Sequence, residues 1–93
     1  MEFLVEIEIA LPPDLDPTSR TDLLDREAAR GRELRNNGSI VRIWRVPGRF
    51  ANVGIWQARD ATELNDALFS LPLFPWMDIR VTALATHHLE RDG

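Results

Sequence analysis

Hydrophobic and polar positions alternate from the start of the chain. Phe3, Val5, Ile7, Ile9 and Leu11 fall on one side of residues 2–11, and Glu2, Glu6 and Glu8 fall on the other. A period of two is that of a half-buried strand, so the odd positions are expected to meet helices. Pro12-Pro13 ends the run because proline donates no backbone hydrogen bond. Asp16 then offers an N-cap with Pro17 at the first helical position, which predicts a helix to about Asn36, stopped by Asn37-Gly38.

The next pattern is a hairpin over 42–56. Two β-rich runs flank Pro47-Gly48, a turn dipeptide in which proline presets one φ and glycine accepts a positive one. If Val46 faces Arg49 across the turn, Val41, Ile43, Arg45, Phe50, Asn52, Gly54 and Trp56 share one face. Ile40, Arg42, Trp44, Val46, Ala51, Val53 and Ile55 share the other. Both faces are mostly apolar and both carry arginine. So short a chain can cover one face with its own helices, which leaves the other for a second subunit. Arginines inside such a joint invite an anionic ligand.

Asp60-Ala61-Thr62-Glu63 reads as a capping box opening a second helix, with Leu64, Ala67, Leu68 and Leu71 inward and Pro72 closing it. Residues 71–77, Leu-Pro-Leu-Phe-Pro-Trp-Met, form a loop too apolar to be left in water, and a subunit interface is the preferred use for it. A last strand is predicted over 79–86, where Arg80 can sit beside Glu6 or Glu8. A polar tail over 87–93 is expected to be mobile or to lie on a partner chain. The order βαββαβ predicts an α+β, ferredoxin-like domain spanning residues 1–93, with two helices on one face of a four-stranded antiparallel sheet.

One residue breaks the pattern of the first helix. Leu23, Leu24, Gly31 and Leu34 make an apolar stripe, and Glu27 lies near its middle. An unpaired ionised carboxylate costs several kcal/mol to bury. Glu27 is therefore either a structural ion-pair partner of Arg20, Arg30 or a hairpin arginine, or an acid/base group with a raised pKa.

Composition narrows the chemistry. With 93 residues, 44% hydrophobic and 28% charged, the chain is expected to fold as one domain. A net charge of −4 argues against nucleic acid as a partner. The absence of a long apolar run argues against a membrane span, and cytoplasmic location is the default. No cysteine is present, which removes disulfides, thiolate metal sites and cysteine nucleophiles. His87-His88 are adjacent, so they point apart in a strand, and no metal site is expected. No phosphate-cradling glycine motif exists, and the tryptophans read as core and interface anchors. Any chemistry must then rest on carboxylate, arginine, asparagine and backbone groups.

Several stretches together resemble the muconolactone Δ-isomerase family, in register over nearly the whole chain. They are Leu11 to Pro17, Arg26-Glu27, Leu34 to Gly38, Trp44 to Val53 and Leu71 to Ile79. The runs Leu-Pro-Leu-Phe-Pro-Trp-Met-Asp-Ile and Trp-Arg-Val-Pro-Gly-Arg-Phe-Ala-Asn carry most of the resemblance. It implies a cofactor-free enzyme of aromatic-compound degradation by the β-ketoadipate route, working as a ring-shaped decamer of five dimers. The implied reaction shifts the ring double bond of an unsaturated lactone bearing an acetate arm, giving 3-oxoadipate enol-lactone. Glu27 is the candidate proton shuttle, and Arg45, Asn52, Arg49 and Phe50 are candidate substrate contacts, with Arg42 in reserve on the opposite face. Ala28, Ile43, Phe50, Asn65 and Trp76 depart from the residues frequent in the family. A chloromuconolactone dehalogenase and a non-catalytic ligand-binding oligomer are the alternatives.

Overall fold

The computed structural model describes residues 1–91. In chain order it contains β1 (Glu2–Ile9), α1 (Pro17–Asn36), β2 (Ile40–Arg45), β3 (Ala51–Gln57), α2 (Ala61–Phe69) and β4 (Met77–Leu84). One-turn 3-10 helices span Phe74–Trp76 and His88–Glu90. The four strands form one antiparallel sheet in the order β2-β3-β1-β4. This is the expected ferredoxin-like arrangement.

The alternation in β1 decides which way the sheet faces. Phe3, Val5 and Ile7 are buried, and Leu34 of α1 joins them with Leu64 and Leu68 of α2. Each large side chain so buried contributes about 1.5–3 kcal/mol. Cross-strand partners share a face, so Asn52, Gly54 and Trp56 of β3 and Ile79, Val81 and Ala83 of β4 also point toward the helices. Glu6 and Glu8 point the other way, with Arg80 directly opposite Glu6.

The helix ends follow their sequence signals. The Asp16 carboxylate accepts from Ser19 N–H at 3.1 Å, and Gly38, at φ 87°, supplies the left-handed stop after α1. At α2, Asp60 accepts from Glu63 N–H at 2.9 Å, while the Glu63 carboxylate reaches back to Arg59 N–H at 3.1 Å. The box is therefore closed one residue earlier than its usual form.

The hairpin differs from the expected register in two places. Pro47 and Gly48 do make the turn, with Gly48 at φ 79° and Arg49 N–H donating to Val46 O at 3.3 Å. The handedness of a turn with only its second central residue at positive φ does not match the twist of flanking strands. The chain therefore spends Arg49 and Phe50 in the loop, and Arg45 pairs with Asn52 instead of Phe50. A shift of two keeps Ile43, Arg45, Asn52, Gly54 and Trp56 on one face, as expected. A bulge at Val41 then moves Ile40 across to face Trp56, so Ile40 is buried and Val41 is exposed.

Two further expectations change. In the 71–77 loop, Leu71 and Leu73 are buried in the chain's own core, and Phe74 and Trp76 are half-buried. The buried part of the loop thus packs on its own core, where an interface was the preferred use, and caps the end of that core between α2 and β1. The last strand begins at Met77, two residues earlier than expected, because its ladder with β1 extends to the Ile9–Met77 pair. Residues 92–93 of the expected polar tail lie outside the described residues. No helix among the described residues is long and apolar enough to cross a membrane.

Gly54 marks a close backbone approach. A Cβ placed there would stand 2.8 Å from Arg42 O across the bulged ladder. Gly54→Ala is expected to destabilise the fold by about 1–3 kcal/mol, the usual cost of overpacking a closed site. Urea denaturation of both proteins measures it, and a parental midpoint would show that the bulge relaxes freely.

Candidate active site

Glu27 reaches the interior side of α1 because it lies one turn before Gly31 and two before buried Leu34. Its Oε1 accepts from Leu73 N–H at 2.9 Å, a bond spanning 46 residues of sequence. None of the ion pairs among the described residues includes Glu27, and Arg30 goes instead to Ser70 at 2.9 Å and Glu33 at 3.4 Å. The ion-pair alternative for Glu27 is thus absent among the described residues, and a backbone amide stands in its place. Burial pushes the Glu27 carboxyl above its usual range, and the hydrogen bond from Leu73 offsets part of that.

Backbone bonds tie this carboxylate to one end of the sheet. Leu73 leads into Phe74–Trp76, and Trp76 O accepts from Ala10 N–H at 3.0 Å. Ile9 N–H in turn donates to Phe50 O at 2.9 Å. The Glu27 loop, the end of β1 and the hairpin loop therefore converge on the same end, where Ile7 pairs with Asn52.

A cavity of about 220 Å³ opens there, lined by Ile9, Ile43, Trp44, Arg45, Phe50, Ala51 and Asn52. Three of the expected substrate contacts, Arg45, Asn52 and Phe50, thus line one space. Arg45 stands directly across the β2–β3 ladder from Asn52, so guanidinium and amide face the same side. Glu27 is not among the lining residues.

Arg49 goes elsewhere. Its Nη2 contacts both carboxylate oxygens of Glu8, at 2.9 and 2.8 Å, beside a second cavity of about 230 Å³ that also holds Glu6, Asp78 and Arg80. The pair is more than half exposed and contributes at most about 1 kcal/mol. Arg42 lies on the opposite face from Arg45, as expected, with its guanidinium 4.9 Å from the Trp44 ring centroid. Asn65 lines a separate cavity with Leu68, Phe74 and Ile79.

One contributor and two unsatisfied buried atoms were invisible in the sequence. The Leu73 donor is a backbone N–H, which every residue but proline possesses, so no side-chain signal marks it. Trp56 has an indole Nε1 that is buried without a hydrogen-bond partner among the described residues, and so does the Asn52 Oδ1. A tryptophan on an apolar strand face reads as core, and only coordinates reveal that its N–H is unused.

Comparison with known proteins bears on this arrangement. A family model described as muconolactone delta-isomerase matches residues 1–90. The chain is 39% identical over 85 residues to a muconolactone Delta-isomerase of Rhodococcus opacus, covering 91% of each chain. Against a Pseudomonas putida muconolactone Delta-isomerase it is 37% identical over 87 residues, covering 94% of this chain and 91% of the relative. A crystal structure of muconolactone isomerase at 3.3 Å resolution superposes with a TM-score of 0.91 at 34% identity, covering all of this chain and 97% of the other.

The raised Glu27 pKa has a stability consequence of definite sign. The folded state holds this proton more tightly than the unfolded chain, so the site destabilises the fold as pH rises from the unfolded value near 4.5 through the folded one. Glu27→Gln keeps the Oε1 acceptor and has no charge to bury. Its thermal midpoint is expected to exceed the parent's at pH 7–8, with the difference shrinking toward pH 4. Calorimetry across that range checks it, and a pH-independent difference would refute the burial effect.

Proposed function

The chain belongs to the muconolactone Δ-isomerase family, and we propose that it converts muconolactone to 3-oxoadipate enol-lactone with Glu27 as the proton carrier. The observation that carries this reading is a half-buried carboxylate with a raised pKa and no cationic partner among the described residues. Such a group is a competent base once ionised and returns the proton readily.

The reaction needs no redox partner. The Glu27 carboxylate takes the hydrogen from the ring γ carbon, and the electron pair of that C–H bond moves into the ring to give a dienolate. Negative charge collects on the lactone carbonyl oxygen. The same carboxyl then delivers its proton to the α carbon, leaving the double bond one position along. Arg45 holds the acetate arm or the dienolate oxygen, and Asn52 stands beside it to take the other. Arg49 is demoted to the reserve role by its contacts with Glu8, while Phe50 packs against the ring.

We read residues 1–93 as one isomerase domain without a cofactor, working in the cytoplasm as a homo-oligomer, a decamer of five dimers. Support for assembly comes from exposed apolar groups that one subunit leaves in water. Val41, Ile43 and Trp44 are each more than 40% exposed, and Leu89 in the tail is 77% exposed. The chain is also elongated, 53 Å long, with a radius of gyration of 14.8 Å where a compact chain of this length has about 12 Å. Sedimentation velocity at micromolar concentration is expected to show a species larger than a dimer, and a stable monomer would overturn the assembly.

The activity is tested by following muconolactone and 5-chloromuconolactone by ultraviolet absorbance, with chloride release monitored for the second. Glu27→Gln is expected to assemble like the parent and to lose about 10²–10⁴-fold in kcat. Arg45→Lys is expected to raise KM, because a point charge cannot reproduce a two-pronged contact. A folded Glu27→Gln protein with parental turnover would remove Glu27 as the shuttle. Chloride release exceeding isomerisation would favour the dehalogenase.

A further inference from the structure

Among the described residues, the hydrogen bonds that join α1 to another element both end on the turn that follows α2. Glu27 Oε1 accepts from Leu73 N–H at 2.9 Å, and one helix turn further along Arg30 Nε donates to Ser70 Oγ, also at 2.9 Å. Residues 27 and 30 of the helix thus meet residues 73 and 70 of the turn. Packing does little else to fix that register. Leu34 is the fully buried residue of α1, while Leu23, Leu24, Glu27, Arg30 and Gly31 on the same stripe are half-buried. A Cβ built on Gly31 would meet nothing within 4 Å, so the helix does not interlock with its neighbours beside Arg30. Where side chains fail to interdigitate, directional bonds set the alignment of two elements.

The turn offers Arg30 a fixed acceptor. Ser70 Oγ donates to Ala67 O at 2.6 Å, and Ser70 N–H donates to Asp66 O at 3.1 Å. A serine hydroxyl has one proton and two lone pairs, so spending the proton on Ala67 leaves a lone pair for Arg30. The link from Ser70 to Leu73 is short and stiff, because Leu71 and Leu73 are buried and Pro72 between them has a fixed φ. A displacement at Ser70 is therefore carried to the Leu73 N–H.

The proton affinity of Glu27 depends on where that N–H stands. Burial raises it and the Leu73 bond lowers it, with no ionised neighbour contributing. Residues 70–76 include no ionisable side chain, and the sheet residues that point toward the helices are uncharged apart from Arg45. On α2, Leu64 and Leu68 turn inward, and Asp66 lies one turn before Ser70. Arg30 shares the stripe with Glu27, yet its guanidinium is engaged by Ser70 and, at 3.4 Å, by Glu33. Its influence on Glu27 runs through the turn.

We propose that Arg30 and Ser70 are positioning residues: their hydrogen bond holds the 70–73 turn against α1 and keeps the Leu73 N–H on the Glu27 carboxylate. For its effect on turnover this rests on the isomerase reading above. A carboxylate that loses its donor holds a proton more tightly, and only the ionised form takes the hydrogen from the γ carbon. Breaking the Arg30–Ser70 bond thus removes active base at acidic pH.

The test is a double-mutant cycle read as a pH profile. Ser70→Ala removes the acceptor and leaves the Arg30 charge in place, and because Ser70 is exposed the core is untouched. Arg30→Met keeps the stem and removes the donor, and Ser70→Thr keeps the hydroxyl. For each, kcat/KM on muconolactone is followed across the acidic limb, which reports ionisation of the free enzyme. Ser70→Ala and Arg30→Met are each expected to move that limb to higher pH and to lose about 2–10-fold on it, the worth of one hydrogen bond. The double variant is expected to lose no more than either single one, and Ser70→Thr to keep the parental profile. In protein labelled on leucine, the Leu73 amide proton is expected to move upfield in both single variants and to titrate at higher pH.

A parental acidic limb in Ser70→Ala overturns the proposal, as does a shift confined to Arg30→Met, which assigns the effect to charge. Additive losses in the double variant overturn it too. A lowered melting temperature with an unmoved limb also overturns it and makes the pair purely structural. A parental protein inactive on muconolactone overturns the isomerase reading instead, and the Leu73 amide titration then decides whether Arg30 and Ser70 hold the donor on Glu27.

Discussion

Strand β1 is hydrogen-bonded along both edges, and the other elements take their places from it. Its partners run antiparallel on either side over nearly its whole length. Because side chains alternate, burying Phe3, Val5 and Ile7 commits the same face of β3 and β4 to the helices without further choice. A slip of one residue in either ladder would expose that core and bury Glu6 and Glu8. The cost of burying those carboxylates makes the register unique. Residues 17–36 and 61–69 become helices by their caps, but they come to rest where β1 supplies an apolar floor.

The candidate site sits where this order is relaxed. At the Ile9 end the ladders run out, the hairpin loop lengthens, and the 71–77 loop folds over the end of the core. Backbone amides without ladder partners appear there, and one of them, from Leu73, holds Glu27. The half-buried carboxylate is thus a product of sheet termination. One helix turn further into the core it would be too costly to ionise, and one turn outward it would be an ordinary surface glutamate. Arg45 and Asn52 are brought together by the β2–β3 register, with Gly54 letting the Arg42 carbonyl come close across the ladder.

The positions at which the sequence is expected to depart from its family divide by location. Ile43 and Phe50 line the cavity with Arg45 and Asn52, so a change at either alters that space. Ala28 faces solvent on α1, and Asn65 borders a different cavity against β4. Neither position lines the cavity that holds Arg45 and Asn52.

Much of the fold was legible in local pattern. Alternation in residues 2–9, the Asp16-Pro17 and Asp60 caps, and the Pro47-Gly48 turn are all signals carried by neighbours in sequence, and all fall where they point. Glu27 was legible too, because a carboxylate on an apolar stripe contradicts its surroundings. What only the tertiary structure decided is how distant groups satisfy one another. The bulge at Val41 arises because burying Ile40 against Trp56 outweighs a regular ladder, a comparison that no local rule can make. Arg49 goes to Glu8 because the lengthened loop carries it beside the end of β1. The partner of Glu27 is a main-chain N–H 46 residues away, and the unused donor of Trp56 is defined by an absent neighbour. Side-chain chemistry is written residue by residue, whereas hydrogen-bond satisfaction is a property of the packed chain.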